Sequence, residues 1–166
     1  MSDMEESLIT PEAKAMIGKE VGRQTAVVYP KEAQRFAAAV GDLNPLYFDD
    51  EVARAHGYKG VIAPPMFLPQ VLQGVTQLDA LREDGVPFEG GSDIPLKAER
   101  LMAGGEEYEF LATLYPGDTI TAEIRIQNIQ EKEGRSGRFV LITRETLYTN
   151  QDGIAVARGR FSVIAR

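Results

Sequence analysis

The feature that most constrains the fold is a series of strand-like segments that fills the chain after residue 95. About five runs rich in β-branched and aromatic residues alternate with the turn sequences GGE, PGD, EGRSG and NQDG. The alternation is clearest in TITAEIRI, where residues 120, 122, 124 and 126 share one apolar face. Because such short connections join antiparallel neighbours, these segments predict an antiparallel sheet.

The longest apolar pattern of the chain, VIAPPMFLPQVLQGVTQLDALRED, precedes these strands. Its apolar residues recur with a helical period: Met66, Phe67, Val71, Leu72, Val75, Leu78 and Leu81. A helix this apolar has to be covered by other elements. We therefore predict an α+β chain with a single hot-dog fold, in which an antiparallel sheet of five to six strands wraps around a long central helix. Residues 1–166 are expected to form one domain, with 1–14 as a loosely ordered N-terminal extension.

Caps and helix breakers predict the shorter elements before this helix. Thr10 is a candidate N-cap for a helix over 11–17, and Pro30 ends a strand over 22–29. A helix over 31–40 is expected to end at Gly41. Asp49 or Asp50 is expected to cap a helix over 51–56.

The composition excludes several functional classes. The chain has no cysteine and only one histidine, His56, so that disulfides, thiolate metal sites and multi-histidine metal sites are excluded. We expect no metal ion, since the acidic residues lack EF-hand spacing. A net charge of −7 disfavours nucleic acid. The absence of an apolar run of about 18 residues disfavours a membrane span, and an acidic N-terminus unlike a secretory signal predicts a cytoplasmic protein.

Two stretches carry a resemblance to a known family. GDLNPLYFDDEVARAHGYKGVIAPPMFL resembles the hydratase motif of the MaoC-like family, which includes (R)-specific enoyl-CoA hydratases and hydroxyacyl thioester dehydratases. The later stretch GEEYEFLATLYPGDTITAEIRI resembles the N-terminal-type, non-catalytic-half domain of the same family. The resemblance runs from about residue 15 to the C-terminus. It implies an acyl-CoA or acyl-carrier thioester as substrate, with no further cofactor.

The resemblance also implies site residues, and here the chain departs from the family. Asp42 and Asn44 stand where the family has an Asp that holds water and an Asn that fixes the loop, but Tyr47 stands at the position of the catalytic His. A phenol, with an ordinary pKa of about 10, is a poor base near neutral pH. Pro64 and Pro65 replace the usual His-Gly, and proline has no N–H to serve as the oxyanion donor.

Several residues have two interpretations. Val61, Ala63, Met66 and Phe67 are predicted to bind the acyl part of the substrate, although an apolar stripe here is first of all core. Asp42 and Asn44 also fit ordinary turn chemistry. His56 is nine residues after Tyr47, and a helix C-terminal cap is a better interpretation than a replacement base.

These observations lead to one main hypothesis and three alternatives. The main hypothesis is a supporting, acyl-binding half that forms a heterodimer with a catalytic hot-dog chain, or a homodimer in isolation. The alternatives are a self-sufficient hydratase using Asp42 and Tyr47, a non-enzymatic thioester-binding protein, and a thioesterase, for which the long helix offers only Asp79. The acyl group, the choice between CoA and carrier protein, and the partner remain open.

Overall fold

The main structural element is one five-stranded antiparallel sheet, as predicted. The computed structural model describes residues 6–73, 77–81, 83, 94–98, 100–135 and 137–166. The strands are β1 (Glu20–Val27), β2 (Leu101–Phe110), β3 (Thr119–Gly134), β4 (Gly137–Thr149) and β5 (Ala155–Ala165). They lie in the order β1-β3-β4-β5-β2, and every neighbouring pair is antiparallel. The predicted α+β class with an antiparallel sheet is therefore confirmed.

Strand β2 corrects one detail of the sequence prediction. The sequence indicates two strands separated by a GGE turn, whereas the structure has one continuous strand that pairs with β5 from Leu101 to Phe110. The register shifts between Ala103 and Gly105, which is a β-bulge. A Cβ on Gly104 would lie 3.0 Å from the carbonyl oxygen of Ser162. These glycines therefore permit a bulge and a close backbone approach instead of a turn.

The helices are short. They are α1 (Pro11–Lys14), α2 (Pro30–Ala39), α3 (Asp50–Ala55) and α4 (Leu68–Val71), with 3₁₀ turns at Pro45–Tyr47, Pro65–Phe67 and Leu78–Ala80. Thr10 caps α1, since its Oγ1 accepts a hydrogen bond from the amide of Ala13 at 3.1 Å. Asp49, not Asp50, caps α3 through the amides of Glu51 and Val52. None of the helices in the described ranges is long and apolar enough to cross a membrane.

The predicted long helix is the main correction to the fold. In the described residues the apolar segment forms only the 3₁₀ turn at Pro65–Phe67 and the four-residue helix α4. Leu78, expected on the buried face, is 86% exposed in a separate 3₁₀ turn. Val75 lies outside the described residues. Apolar spacing alone does not distinguish one long helix from short helical turns that bury separate side chains.

Two apolar clusters pack against the two ends of the sheet's inner face. The first cluster contains Val28, Ala33, Ala63, Phe67, Leu68, Leu114, Ile120, Ala122, Tyr148, Val156 and Ala157. The second cluster contains Ile9, Ala13, Ile94, Ile126, Ile129, Val140, Ile142 and Ala165. Because Ile9 and Ala13 are buried in the second cluster, the expectation of a loosely ordered extension is wrong for residues 6–14. Burial of these two apolar side chains stabilises the packing of the N-terminal segment against the sheet.

Candidate functional site

The motif loop follows the end of α2 and brings Asp42, Asn44 and Tyr47 together. Gly41 has a φ of +75°, a left-handed conformation that lets the chain turn away from the helix. Asp42 Oδ1 accepts a hydrogen bond from the amide of Asn44 at 3.3 Å. Asn44 Oδ1 in turn accepts one from the amide of Leu46 at 3.0 Å and caps the 3₁₀ turn. Local turn chemistry therefore sets the shape of this loop.

Tyr47 is the buried residue of this group. Its hydroxyl donates a hydrogen bond to Asp42 Oδ2 at 3.3 Å, and its ring packs in a small cluster with Ala37 and Ile62. Burial raises the pKa of Tyr47 above its ordinary value, and the charge and hydrogen bond of Asp42 raise it further. The phenol is therefore held protonated as a hydrogen-bond donor, so that even less phenolate is present at neutral pH to act as a base than in a free tyrosine.

The segment after the motif is fixed by its own backbone. The amide of Ile62 donates to Leu46 O at 3.0 Å, and the amide of Ala63 donates to Leu114 O at 2.8 Å. Pro64 is buried and Pro65 is exposed at the start of the 3₁₀ turn. The amide of Phe67 donates to Pro64 O at 2.9 Å. These three amides are therefore used within the chain, and Pro65 has no N–H to offer to a thioester oxygen.

An apolar pocket of about 330 Å³ opens beside this segment. It is lined by Tyr58, Ile62, Ala63, Pro65, Leu68, Phe110, Leu111, Ala112, Thr113, Leu114 and Val156. Ile62 belongs both to this pocket and to the cluster around Tyr47, and Tyr58 packs against that cluster. The motif loop therefore supports one wall of the pocket. A pocket of this size and lining suits part of an apolar ligand.

The four residues predicted to bind substrate do not converge. Ala63 lines the apolar pocket, but Val61 lines a different pocket of about 360 Å³ with Asp50, Arg54 and Lys59. Phe67 is buried in the core, 5.6 Å from the Phe36 ring centroid. Met66 is 46% exposed. Sequence reasoning missed the stretch over 110–114, whose apolar residues read as an ordinary strand.

His56 and Asp79 lie in local structure. His56 is the C-cap of α3, and its Nδ1 lies 2.8 Å from Val52 O. This placement confirms the interpretation of His56 as a helix cap. Asp79 is an exposed residue of the 3₁₀ turn at Leu78–Ala80. Within the ranges the structure describes, no three His, Cys, Asp or Glu side chains form a group that could hold a metal ion.

Sequence comparison relates the chain to dehydratases. The model of the family described as "FAS1-like, dehydratase domain region" matches residues 15–158. A UPF0336 protein from Saccharopolyspora erythraea is 29% identical over 94% of this chain and 92% of its own length. A probable enoyl-CoA hydratase alpha subunit from Thermomonospora curvata is 31% identical over 91% of this chain. This chain spans only 50% of that relative's length.

Solved structures with the same fold include two complexes. The ChsH1-ChsH2 complex from Mycobacterium tuberculosis matches with a TM-score of 0.69 and 22% identity, covering 92% of this chain and 85% of the matched chain. The HadBC (3R-hydroxyacyl-ACP dehydratase) complex from the same organism matches with a TM-score of 0.62 and 22% identity, covering 86% of this chain and 94% of the matched chain. The MaoC-like dehydratase from Rhodospirillum rubrum matches with a TM-score of 0.59 and 20% identity, covering 89% of this chain and 97% of the matched chain. These likenesses confirm the predicted hot-dog fold.

Proposed function

This chain belongs to the family of FAS1-like dehydratase domain regions, and from that premise we propose that it is the supporting half of a MaoC-like hydro-lyase. In this role it binds part of an acyl-CoA or acyl-carrier thioester and pairs with a second hot-dog chain. That partner supplies the catalytic Asp and His and the oxyanion donor. The absence of cysteine fits a reducing compartment such as the cytoplasm.

The observation that carries this proposal is the state of Tyr47. Hydration of an enoyl thioester needs a group that accepts a proton from water. Tyr47 is buried, its hydroxyl donates a hydrogen bond to Asp42, and its pKa is raised. Pro65 independently lacks the amide that would stabilise charge on the thioester oxygen. On this interpretation the chain lacks both a proton-accepting base and an oxyanion donor, although it has an apolar pocket.

The exposed rim of the apolar pocket supports a role in a complex. Phe110 and Leu111 line the pocket and remain 43% and 46% exposed, and the neighbouring Met66 is 46% exposed. Large apolar side chains grouped in this way favour contact with a partner or ligand. Two of the solved structures with the same fold are complexes of two proteins, and one relative in sequence is named an alpha subunit.

The proposal is tested by hydration of a trans-2-enoyl-CoA, followed through loss of the enoyl thioester absorbance. The chain is assayed alone, with the hot-dog chain encoded beside it, and that partner is assayed alone. We expect turnover only from the pair or from the partner, with none from this chain. Substantial turnover by the pure chain would refute the proposal.

The hydrogen bond between Tyr47 and Asp42 keeps the self-sufficient hydratase as a second candidate. In that case Asp42→Asn abolishes turnover by the pure chain, because the carboxylate that orients the phenol and water is lost. The raised pKa of Tyr47 counts against this candidate. A non-enzymatic thioester-binding protein would instead retain an acyl-CoA through purification and show no turnover in any combination.

A further inference from the structure

Arg144 lies on the inner face of the sheet, between the two apolar clusters. Even-numbered residues of β4 face the core, as the buried side chains of Val140, Ile142 and Tyr148 show. Arg144 lies on this same face. Its cross-strand partners are Ile126, which is fully buried, and Phe161, which is half-buried. A cation therefore lies where the pattern of the strand places apolar side chains.

Arg144 has no carboxylate partner among the described residues. Its Nε is buried without a hydrogen bond, and no ion pair involves its guanidinium in the part of the chain that the structure describes. The nearest acid by register, Glu106, lies opposite Phe161 on β2, two strands away, and is exposed. Leaving a half-buried cation unpaired destabilises the fold unless a ligand supplies the anion.

Arginines on the outer face have a different environment. Arg160 lies 3.5 Å from Glu107 and 3.6 Å from Glu145, although its Nε is also buried without a hydrogen bond. Arg158 lies 3.7 Å from Glu109. The chain therefore provides carboxylates for these outer arginines across neighbouring strands. For Arg144, on the inner face, the described part of the chain provides no such carboxylate.

A row of three aromatic side chains runs from the apolar pocket onto the inner face that also carries Arg144. Phe110 lines the pocket and stacks on Tyr108 with ring centroids 6.2 Å apart. Tyr108 lies 6.5 Å from the ring of Tyr148, and both rings cover Gly159, where a Cβ would approach Tyr108 Cε1 to 2.9 Å. Tyr148 follows Arg144 on the inner face by four residues, about 13 Å along a strand.

The two tyrosines of this row are hydrogen-bond donors. Burial is the main cause that raises the pKa of Tyr148 well above its ordinary value, with Tyr108 contributing. Burial and the charge of Glu106 raise the pKa of Tyr108. Both phenols therefore stay protonated at neutral pH. The row combines apolar ring faces with hydroxyl groups, and Arg144 lies farther along the same face of β4.

We propose that Arg144 binds a carboxylate at the end of the acyl group remote from the thioester, so that the ligand is a thioester of a dicarboxylic acid. The inference rests on the proposed function, in which this chain holds the acyl group. A planar carboxylate matches the fork of donors on a guanidinium and forms a charge-assisted pair. The apolar neighbours Ile126 and Phe161 strengthen such a pair by excluding water.

The test compares two CoA thioesters that differ only in a terminal carboxylate, decanoyl-CoA and the mono-CoA ester of decanedioic acid. Calorimetric titration is performed on the wild-type chain and on Arg144→Leu. We expect the wild type to bind the carboxylated thioester at least about tenfold more tightly, a value typical of a charge-assisted hydrogen bond. Arg144→Leu should abolish that preference and leave decanoyl-CoA binding unchanged.

A matched control is Arg125→Leu on the outer face. Arg125 is 57% exposed and lies 3.8 Å from Glu123, so that this variant should keep the full preference. Circular dichroism and thermal unfolding of Arg144→Leu check the fold. A preference that persists in Arg144→Leu, or equal binding of the two thioesters by the wild type, overturns the inference.

A second pair of probes separates this inference from the proposed function. Free decanoate and decanol differ in charge and contain no thioester. If neither CoA thioester binds but decanoate binds better than decanol in an Arg144-dependent manner, the proposed function fails and the carboxylate site stands. If both thioesters bind equally, the acyl-binding role stands and the carboxylate site falls. Absence of binding by all four probes overturns both.

Discussion

The motif loop and the inner face of the sheet differ in how their polar groups are satisfied. In the loop, Asp42, Asn44 and Tyr47 form hydrogen bonds with one another and with the neighbouring backbone. On the inner face, Arg144 has a buried nitrogen and no ion pair in the described part of the chain. Groups that satisfy one another stabilise a shape, whereas an unsatisfied group is available to a ligand. The hydrogen bonds of the motif therefore account for the shape of the loop, and Arg144 is our candidate for ligand recognition.

The strongest test of this comparison is catalytic. In the proposed two-chain complex, Asp42→Asn in this chain should leave kcat/KM within about threefold of wild type, because the proposal assigns the reacting groups to the partner. Replacing the partner's motif His should lower kcat by a factor of about 10² or more. Steady-state hydration assays measure both. A large loss with Asp42→Asn would place chemistry in this loop.

A second test compares neighbouring positions on the inner face. Ile142 is 1% exposed in the second cluster, and Ile142→Ala should lower the free energy of unfolding by about 2–5 kcal/mol through loss of apolar contact and a residual cavity. Urea denaturation measures this change. A value near zero would mean that the inner face around β4 is not packed as described.

Arg144→Leu, two residues away, should act in the opposite direction. Replacing an unpaired, half-buried cation by an apolar side chain should raise the free energy of unfolding by about 1 kcal/mol or more. The same denaturation experiment compares it with Arg160→Leu, which removes ion pairs with Glu107 and Glu145 and should not stabilise. Destabilisation by Arg144→Leu would indicate a structural role for the guanidinium.

The smallest expected effect concerns Tyr47. Tyr47→Phe removes the hydrogen bond to Asp42 and should lower the free energy of unfolding by about 1 kcal/mol at neutral pH. Because the pKa of Tyr47 is raised in the folded chain, its stabilising contribution is complete below about pH 10, where the unfolded phenol titrates, and is lost as the pH rises through the folded value.

Denaturation of wild type and Tyr47→Phe from pH 8 to pH 11 measures this difference. The wild type should lose stability more steeply above about pH 10, while Tyr108 and Tyr148 contribute equally to both proteins. Parallel curves for the two proteins would show that Tyr47 titrates as an ordinary exposed phenol. That result would remove the main objection to Tyr47 as a catalytic group.

Local signals in the sequence predicted several features correctly. The cap at Thr10 and the cap at Asp49, one of the two aspartates considered, depend on residues within a few positions of one another. The alternating runs also predicted the antiparallel sheet, because the alternation of apolar and polar residues along a strand is a local pattern of the sequence. Within the described residues, the helical period after Pro65 corresponds only to the 3₁₀ turn at Pro65–Phe67 and to α4, because apolar spacing alone does not set the length of a helix.

The sequence by itself determined the class of fold and the motif, with Tyr47 and Pro65 at the positions where it departs from the family pattern. Only the tertiary structure decided which residues line the pocket and which strand arginine has no carboxylate partner in the described ranges. In the sequence Arg144, Arg158 and Arg160 are similar strand arginines. Cross-strand register places Arg144 beside Ile126 and the other two beside glutamates. Register depends on contacts between residues far apart in the chain, and no local pattern contains them.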